Sequence, residues 1–299
     1  MMWVVLAFAS AALLGCYDFF KKVSLKDNSV VAVLFLNTLF STLLFAPFIL
    51  LSHAGVIEGG PLYVPAADVR THLLLLLKAV IVLSSWLCGY LGIKHLPITI
   101  VSPIQSTRPV IVLLGALLLF GESLNAYQWT GVLIAILSVF LLSRSGKREG
   151  IHFTSNRWVA FVALAAILGA ASALYDKYLM RSLEPLLVQS WFNLYQCLLM
   201  GVLALILNAF SPVQRNRKFH WCWAIPMISI FLGIADFCYF SALAQDGALI
   251  AVVSIIRRGS VVVSFLFGAF LLREKNLLSK AFDLVLIIIG LLFLYLGSR

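Results

Sequence analysis

Long apolar stretches separated by short polar turns run the whole length of the chain. Crossing a bilayer as a helix takes about 20 apolar residues, and the stretches are of that order. None has the two-residue alternation of a barrel strand, so the pattern predicts transmembrane helices. The expected spans are Trp3–Phe20, Ser29–Ser52, Leu73–Ile93, Pro97–Glu122, Tyr127–Ser143, Trp158–Met180, Leu186–Phe210, Trp221–Leu243, Ala248–Leu272 and Leu277–Gly297. A turn-rich loop, HAGVIEGGPLYVPAADVRTH, follows the second span, and a basic linker, SRSGKREGIHFTSNR, follows the fifth. The linker divides the chain into a first unit at 1–145, the connection at 146–157 and a second unit at 158–299.

The two units echo each other. At one constant offset, ITIVSPIQSTRPVIVLLGALLLFGE (Ile98–Glu122) overlies IAVVSIIRRGSVVVSFLFGAFLLRE (Ile250–Glu274), matching Val101 to Val253, Ser102 to Ser254, Val110 to Val262 and Glu122 to Glu274. Tyr17-Asp18 recurs as Tyr175-Asp176, Asn37 as Asn193, and Ser143-Arg144 as Ser298-Arg299. A repeat with an odd number of spans places its copies in opposite orientations. The expected fold is therefore an all-α membrane protein with ten transmembrane helices in two inverted five-helix repeats, its site at mid-membrane between them.

Composition supports this and changes one point. Of 299 residues, 62% are hydrophobic and 11% charged, with a mean hydropathy of +1.04. A soluble domain carries about 25% charged residues, so nearly all of this chain belongs in lipid. The formal net charge of +10 is not a nucleic-acid signal, because lysines and arginines sit mostly in short loops. Lys21, Lys22, Lys26, Lys94, Lys147, Arg148, Arg215, Arg217 and Arg273 fall on one side of the expected topology. The positive-inside rule makes that side cytoplasmic and puts both termini outside, in a plasma (inner) membrane. The N-terminal MMWVVLAFASAALLG has no basic lead and reads as a first span, and the five scattered cysteines have neither disulfide nor zinc spacing.

The stretches RPVIVLLGALLLFGESLNAYQWTGVLIAILSVFLL and SVVVSFLFGAFLLREKNLLSKAFDLVLIIIGLLFLYLG resemble the closing helices of the EamA family, within the drug/metabolite transporter superfamily. The resemblance covers the chain once per half. It implies a secondary carrier of small metabolites working by alternating access. Its cavity would be lined by the first, third and fourth spans of each half, with the fifth and tenth at the periphery. Two features depart from many relatives, namely termini placed outside and arginines within the fourth and ninth spans.

Those arginines, Arg108, Arg257 and Arg258, lead the candidate residues. A guanidinium at mid-membrane costs at least about 2.5–3.5 kcal/mol, so each must face a polar interior, a partner or water. They suit an anion clamp, and equally an internal salt bridge or bonds to backbone carbonyls. Adjacent helical residues point about 100° apart, so Arg257 and Arg258 are not expected to face one cavity together. Pro103 and Pro109 free carbonyls near Arg108. Asp236, deep in the eighth span, is a proton-coupling candidate or an arginine counter-ion. Asp18 and Asp176, nearer the interface, share the ion-coupling set, Asp18 with Lys21 or Lys22 one turn on. Lys78, near the start of its span, can snorkel outward.

Among neutral groups, Asn37, Gln105 and Asn193 are candidate substrate contacts, while Gln189, Gln196 and Gln245 read as polar glue between helices. Trp86, Tyr90, Tyr175 and Tyr239 (with Trp191) are a candidate aromatic lining. Glu122 and Glu274 suit the N-terminal dipoles of the helices that follow them. The five histidines sit in loops or at span ends, with no Walker loop, dinucleotide fingerprint or nucleophile elbow, so no enzyme, cofactor or metal is expected. The resulting expectation is a secondary transporter of a small polar, anionic metabolite, proton-coupled, in contact with lipid, and monomeric or homodimeric. Alternatives are a flippase for a lipid-linked amphipathic substrate and a non-transporting scaffold subunit.

Overall fold

The computed structural model describes residues 2–25, 28–60, 62–95, 104, 107–144, 157–210, 219–260, 262–263 and 277–297. These contain no strand and ten helices: α1 (Met2–Leu25), α2 (Val30–His53), α3 (Val69–His95), α4 (Arg108–Phe120), α5 (Ala126–Arg144), α6 (Arg157–Leu179), α7 (Pro185–Phe210), α8 (Ala224–Ala244), α9 (Ile250–Arg258) and α10 (Leu277–Gly297). Within α1, α2, α3, α6, α7 and α8 lie segments long and apolar enough to cross a membrane, and α4 is a shorter apolar helix. The basic linker lies outside the described residues up to position 156.

Local chemistry sets several ends. Ser29 caps α2, its hydroxyl accepting the backbone N–H of Ala32 at 3.2 Å. An Asp68 carboxylate oxygen likewise accepts the N–H of Thr71 at 2.9 Å, so α3 begins before the expected Leu73. That early start corrects the reading of Lys78, which lies deeper along its helix than a snorkelling residue would. Pro109, at the start of α4, has no N–H to lose there. Gly121 ends α4 in the left-handed region at φ 62°, its N–H returning to the Ala116 carbonyl.

The helices of the two halves pack on one another in a pattern that survives exchange of α1–α5 for α6–α10. α1 runs along α8, and α6 along α3. α3 touches α7 as α8 touches α2, and α4 touches α6 as α9 touches α1. Three further pairings join counterparts directly, α2 to α7, α4 to α9 and α5 to α10. Hydroxyls tie two of these seams. Ser10 donates to the Ala235 carbonyl at 2.7 Å across α1–α8, and Ser85 to the Ala165 carbonyl at 2.9 Å across α3–α6. Such bonds, with small residues, hold helices together where lipid offers no hydrophobic contrast.

Glycine lets α5 and α10 approach closely. A Cβ on Gly131 would stand 2.7 Å from the Gly290 carbonyl oxygen and 2.9 Å from the Leu294 backbone nitrogen, and backbone does not yield as a side chain does. Gly131→Ala is therefore expected to lower stability by about 1–3 kcal/mol, read as a fall in Tm of the purified protein. Gly201→Ala, whose new Cβ meets only the Phe35 ring at 3.4 Å, should leave Tm level or raised. Equal losses in both variants would count against the close α5–α10 seam.

Candidate functional site

A cavity of about 390 Å³ occupies the centre of the bundle, with walls from α1, α2, α3, α4, α6, α7, α8 and α9. α5 and α10 contribute none of its described lining, in keeping with their expected peripheral place. The first, third and fourth helices of each half do line it. The expectation is corrected in that α2 and α7 join them, through Asn37, Asn193 and Gln196, because these helices cross against each other and against α8 and α3.

Charge gathers here. Arg108 projects from the first turn of α4, and its Nη2 donates to the Gly169 carbonyl at 2.6 Å. Residue 169 is held to glycine by that contact, since a Cβ there would stand 2.5 Å from the Arg108 Cζ. Arg257 Nη2 donates to an Asp236 carboxylate oxygen at 2.7 Å, and the guanidinium lies 4.0 Å from the centre of the Tyr239 ring. Among the described residues the Arg257 Nε has no hydrogen-bond partner. On the α3–α6 seam Lys78 forms a buried ion pair with Asp176, and its ammonium stands 4.5 Å from the Phe192 ring centre and 4.8 Å from that of Phe240. Arg258 completes the lining, within electrostatic influence of Asp18 and of the other two arginines.

A model of the EamA-like transporter family matches residues 1–144 and again residues 156–296. The chain belongs to the EamA-like transporter family. It is also 25% identical over 278 residues to an uncharacterized transporter of Archaeoglobus fulgidus, covering 91% of this chain and 90% of that protein. A solved crystal structure, described only as that of a protein, is similar with a TM-score of 0.72 at 16% identity, over 98% of this chain and 96% of the other. At that identity the likeness shows the fold alone. The family makes this a multi-pass membrane transporter.

Within this EamA fold most of the candidate residues converge. Arg108, Arg257, Arg258, Asn37, Asn193, Trp86, Tyr239, Asp18, Asp176 and Asp236 all border the one cavity. Gln105, Glu274 and the side chain of Tyr90 lie outside the described residues. Arg257 and Arg258 share the cavity despite their adjacency, because an arginine side chain is long enough to reach beyond its own helix face, that of Arg257 ending over the Tyr239 ring. Tyr175 departs from the expected lining. Its hydroxyl donates to the Leu74 carbonyl at 3.1 Å and its ring stacks on Tyr178, the helical turn having given the cavity side to Asp176. Asp176, expected near the interface, is buried, because the α3–α6 seam brings Lys78 to it.

Two further departures concern the bundle ends. Glu122 does not serve the helix after it. Its carboxylate accepts the N–H groups of Ile250, at 2.7 Å, and Ala251, at 3.2 Å, capping α9 in the other half. Nearby, Lys177 donates to the carbonyls of Leu243, at 3.2 Å, and Ala248, at 2.6 Å. The histidines do meet in one place: His72 accepts from or donates to the Tyr195 hydroxyl at 3.0 Å, and both His53 and His72 stand edge-on to Trp191. No group of metal-ligating side chains occurs among the described residues.

The sequence did not pair Lys78 with Asp176, and the worth of that buried ion pair is measurable. Removing one partner strands a buried charge, so Lys78→Met alone is expected to cost about 3–5 kcal/mol. Lys78→Met with Asp176→Leu should recover most of that loss, as followed by denaturant unfolding in detergent. A double variant as unstable as the single one would contradict the pairing.

Proposed function

We propose that this EamA protein is a secondary transporter that moves a small anionic metabolite by alternating access. The observation carrying this reading is the convergence of Arg108, Arg257 and Arg258 on one central cavity between the two halves. Guanidinium matches carboxylate and phosphate in geometry and keeps its charge in a low-dielectric setting. The two halves, at 1–145 and 158–299 with the linker at 146–157, would be inverted five-helix repeats giving ten spans. The basic loops would face the cytoplasm and both termini the outside of the plasma membrane. The exchange-symmetric helix pairings support this, since rocking one repeat on the other then trades one opening for its counterpart.

Coupling follows from the acids. Asp236 holds Arg257 by direct ion pair, so an arriving anion competes with this carboxylate for the guanidinium. A proton on Asp236 releases Arg257 to the anion, and loss of that proton favours release. Asp176 with Lys78 gives the same exchange a second place, and Asp18 borders the same cavity. The scaffold alternative expects arginines satisfied within the bundle, whereas the Arg257 Nε has no hydrogen-bond partner among the described residues.

In proteoliposomes, an imposed proton gradient should drive accumulation of an anion drawn from carboxylates and phosphate esters, and a protonophore should abolish it. Arg108→Ala and Arg257→Ala should each lose the Tm rise that the same anion gives the purified protein. Asp236→Asn should lose the response to the gradient while keeping exchange of labelled for unlabelled substrate. Tm rises confined to neutral or cationic compounds, unchanged in the arginine variants, would overturn the anion reading.

A further inference from the structure

We infer that Asn193 and Gln196 of α7 form a subsite of the central cavity that recognises uncharged hydrogen-bonding groups of the substrate, hydroxyls or a carboxamide, a reading that rests on that cavity being the transport site proposed above. α7 carries a row of amides, Gln189, Asn193 and Gln196, at spacings of four and three residues along one helix face. Polar side chains in lipid commonly hold helices together, and the first half shows what such glue looks like. Asn37 on α2 is 2% exposed, and its Oδ1 accepts the Ser229 hydroxyl of α8 at 3.0 Å, a hydroxyl that also reaches the Asn37 backbone carbonyl at 3.0 Å. Asn193 echoes Asn37 in the second half and is tied differently. The Thr42 hydroxyl of α2 donates to its backbone carbonyl at 2.9 Å, which leaves the side chain out of the seam.

That side chain has nothing else to hold. Among the described residues Asn193 Nδ2 has no hydrogen-bond partner, and neither polar atom of Gln196 has one. Both residues line the cavity while only 8% and 2% exposed. A buried amide without a partner is costly, and two of them on one wall of a cavity point to a partner from outside the chain.

The unmet groups define its chemistry. Asn193 Nδ2 and Gln196 Nε2 donate, while Gln196 Oε1 accepts. Exchanging the two ends of the Gln196 amide leaves that set unchanged, since both ends lack a partner. A carboxylate only accepts and an ammonium only donates, so neither meets the whole set. A hydroxyl does both on one atom, and a carboxamide does both on two. The arginines and the α7 amides thus recognise different parts of one molecule, and the amides set which uncharged body is preferred.

The test titrates the full-length purified protein with pairs of compounds matched in charge and carbon number. Glycerol 3-phosphate is set against propyl phosphate, tartrate against succinate, threonate against butyrate, and glutamine against norvaline. In at least one pair the member bearing hydroxyls or the carboxamide should bind about tenfold more tightly than its bare counterpart. A preference in the first three pairs assigns hydroxyls, and one in the last pair assigns a carboxamide. Asn193→Leu and Gln196→Leu should each bring the ratio within that pair close to one and leave the affinity of the bare member in place. Their unliganded Tm should stay level or rise, because each removes an unpaired buried amide. Gln189→Leu, an amide of the same row outside the described cavity lining, should leave the ratio unchanged. Equal binding of both members of every pair, lost in Arg108→Ala, would overturn the subsite and leave the transport site standing. A preference that persists in both leucine variants would also overturn the subsite, as would a fall in their Tm with the ratio unmoved, which is the signature of glue. No binding by either member of any pair would overturn both readings.

Discussion

A guanidinium cannot rest against hydrocarbon, and three of them sit in the apolar middle of this chain. Everything at the centre of the bundle follows from housing them. Arg257 takes Asp236 from α8 and the face of Tyr239, and Arg108 reaches across to a carbonyl of α6 at a position where only a glycine leaves room. The cavity they border is polar because it must be. Its walls come from eight helices rather than six because α2 and α7 supply the amides and hydroxyls that a lining of aliphatic side chains could not. In a soluble protein water would do part of this solvation. Here the bundle supplies much of it, through the Asp236 carboxylate and the Gly169 carbonyl.

The second constraint is symmetry under exchange of the halves. Each seam between α1 and α8 or α3 and α6 has its counterpart, and α4 meets α9 at the centre. Were the halves to rock as proposed, each of these seams given up on one side would resemble one gained on the other. What breaks the balance is local and polar. The Glu122 carboxylate caps α9 across the halves, and Lys177 caps carbonyls at the end of α8 and the turn after it. Such charge-assisted bonds to helix ends are stronger than neutral ones, yet they are few and replaceable by water. They suit a contact that holds one arrangement without making it permanent.

The described spans were legible because the cost of a polar group in lipid adds over about 20 residues and dominates any local preference. The constant offset between Ile98–Glu122 and Ile250–Glu274 also needed no structure, and with it came the place of the arginines near the centre. The resemblance to EamA proteins rested on the same stretches. Asn37, Asn193, Trp86, Tyr239 and Asp236 could be named as lining candidates because polar and aromatic residues in an apolar run are few.

Which way each helix turns its faces was not legible. Around a soluble helix the hydrophobic stripe marks the core, but lipid is as apolar as a protein interior, so a membrane helix carries almost no such mark. Tyr175 and Asp176 are neighbours in an apolar span, and only packing against α3 gave the cavity to Asp176 and the Leu74 carbonyl to Tyr175. Lys78 and Asp176 meet across 98 positions of sequence, and Glu122 finds Ile250 across 128. The amide row on α7 had a readable spacing, yet glue and binding surface have the same spacing until a cavity is seen beside it. The sequence by itself determined what had to be kept from lipid. Only the tertiary structure decided with whom, because partners in lipid are chosen by hydrogen-bond and ion-pair geometry between helices, which periodicity along one helix does not encode.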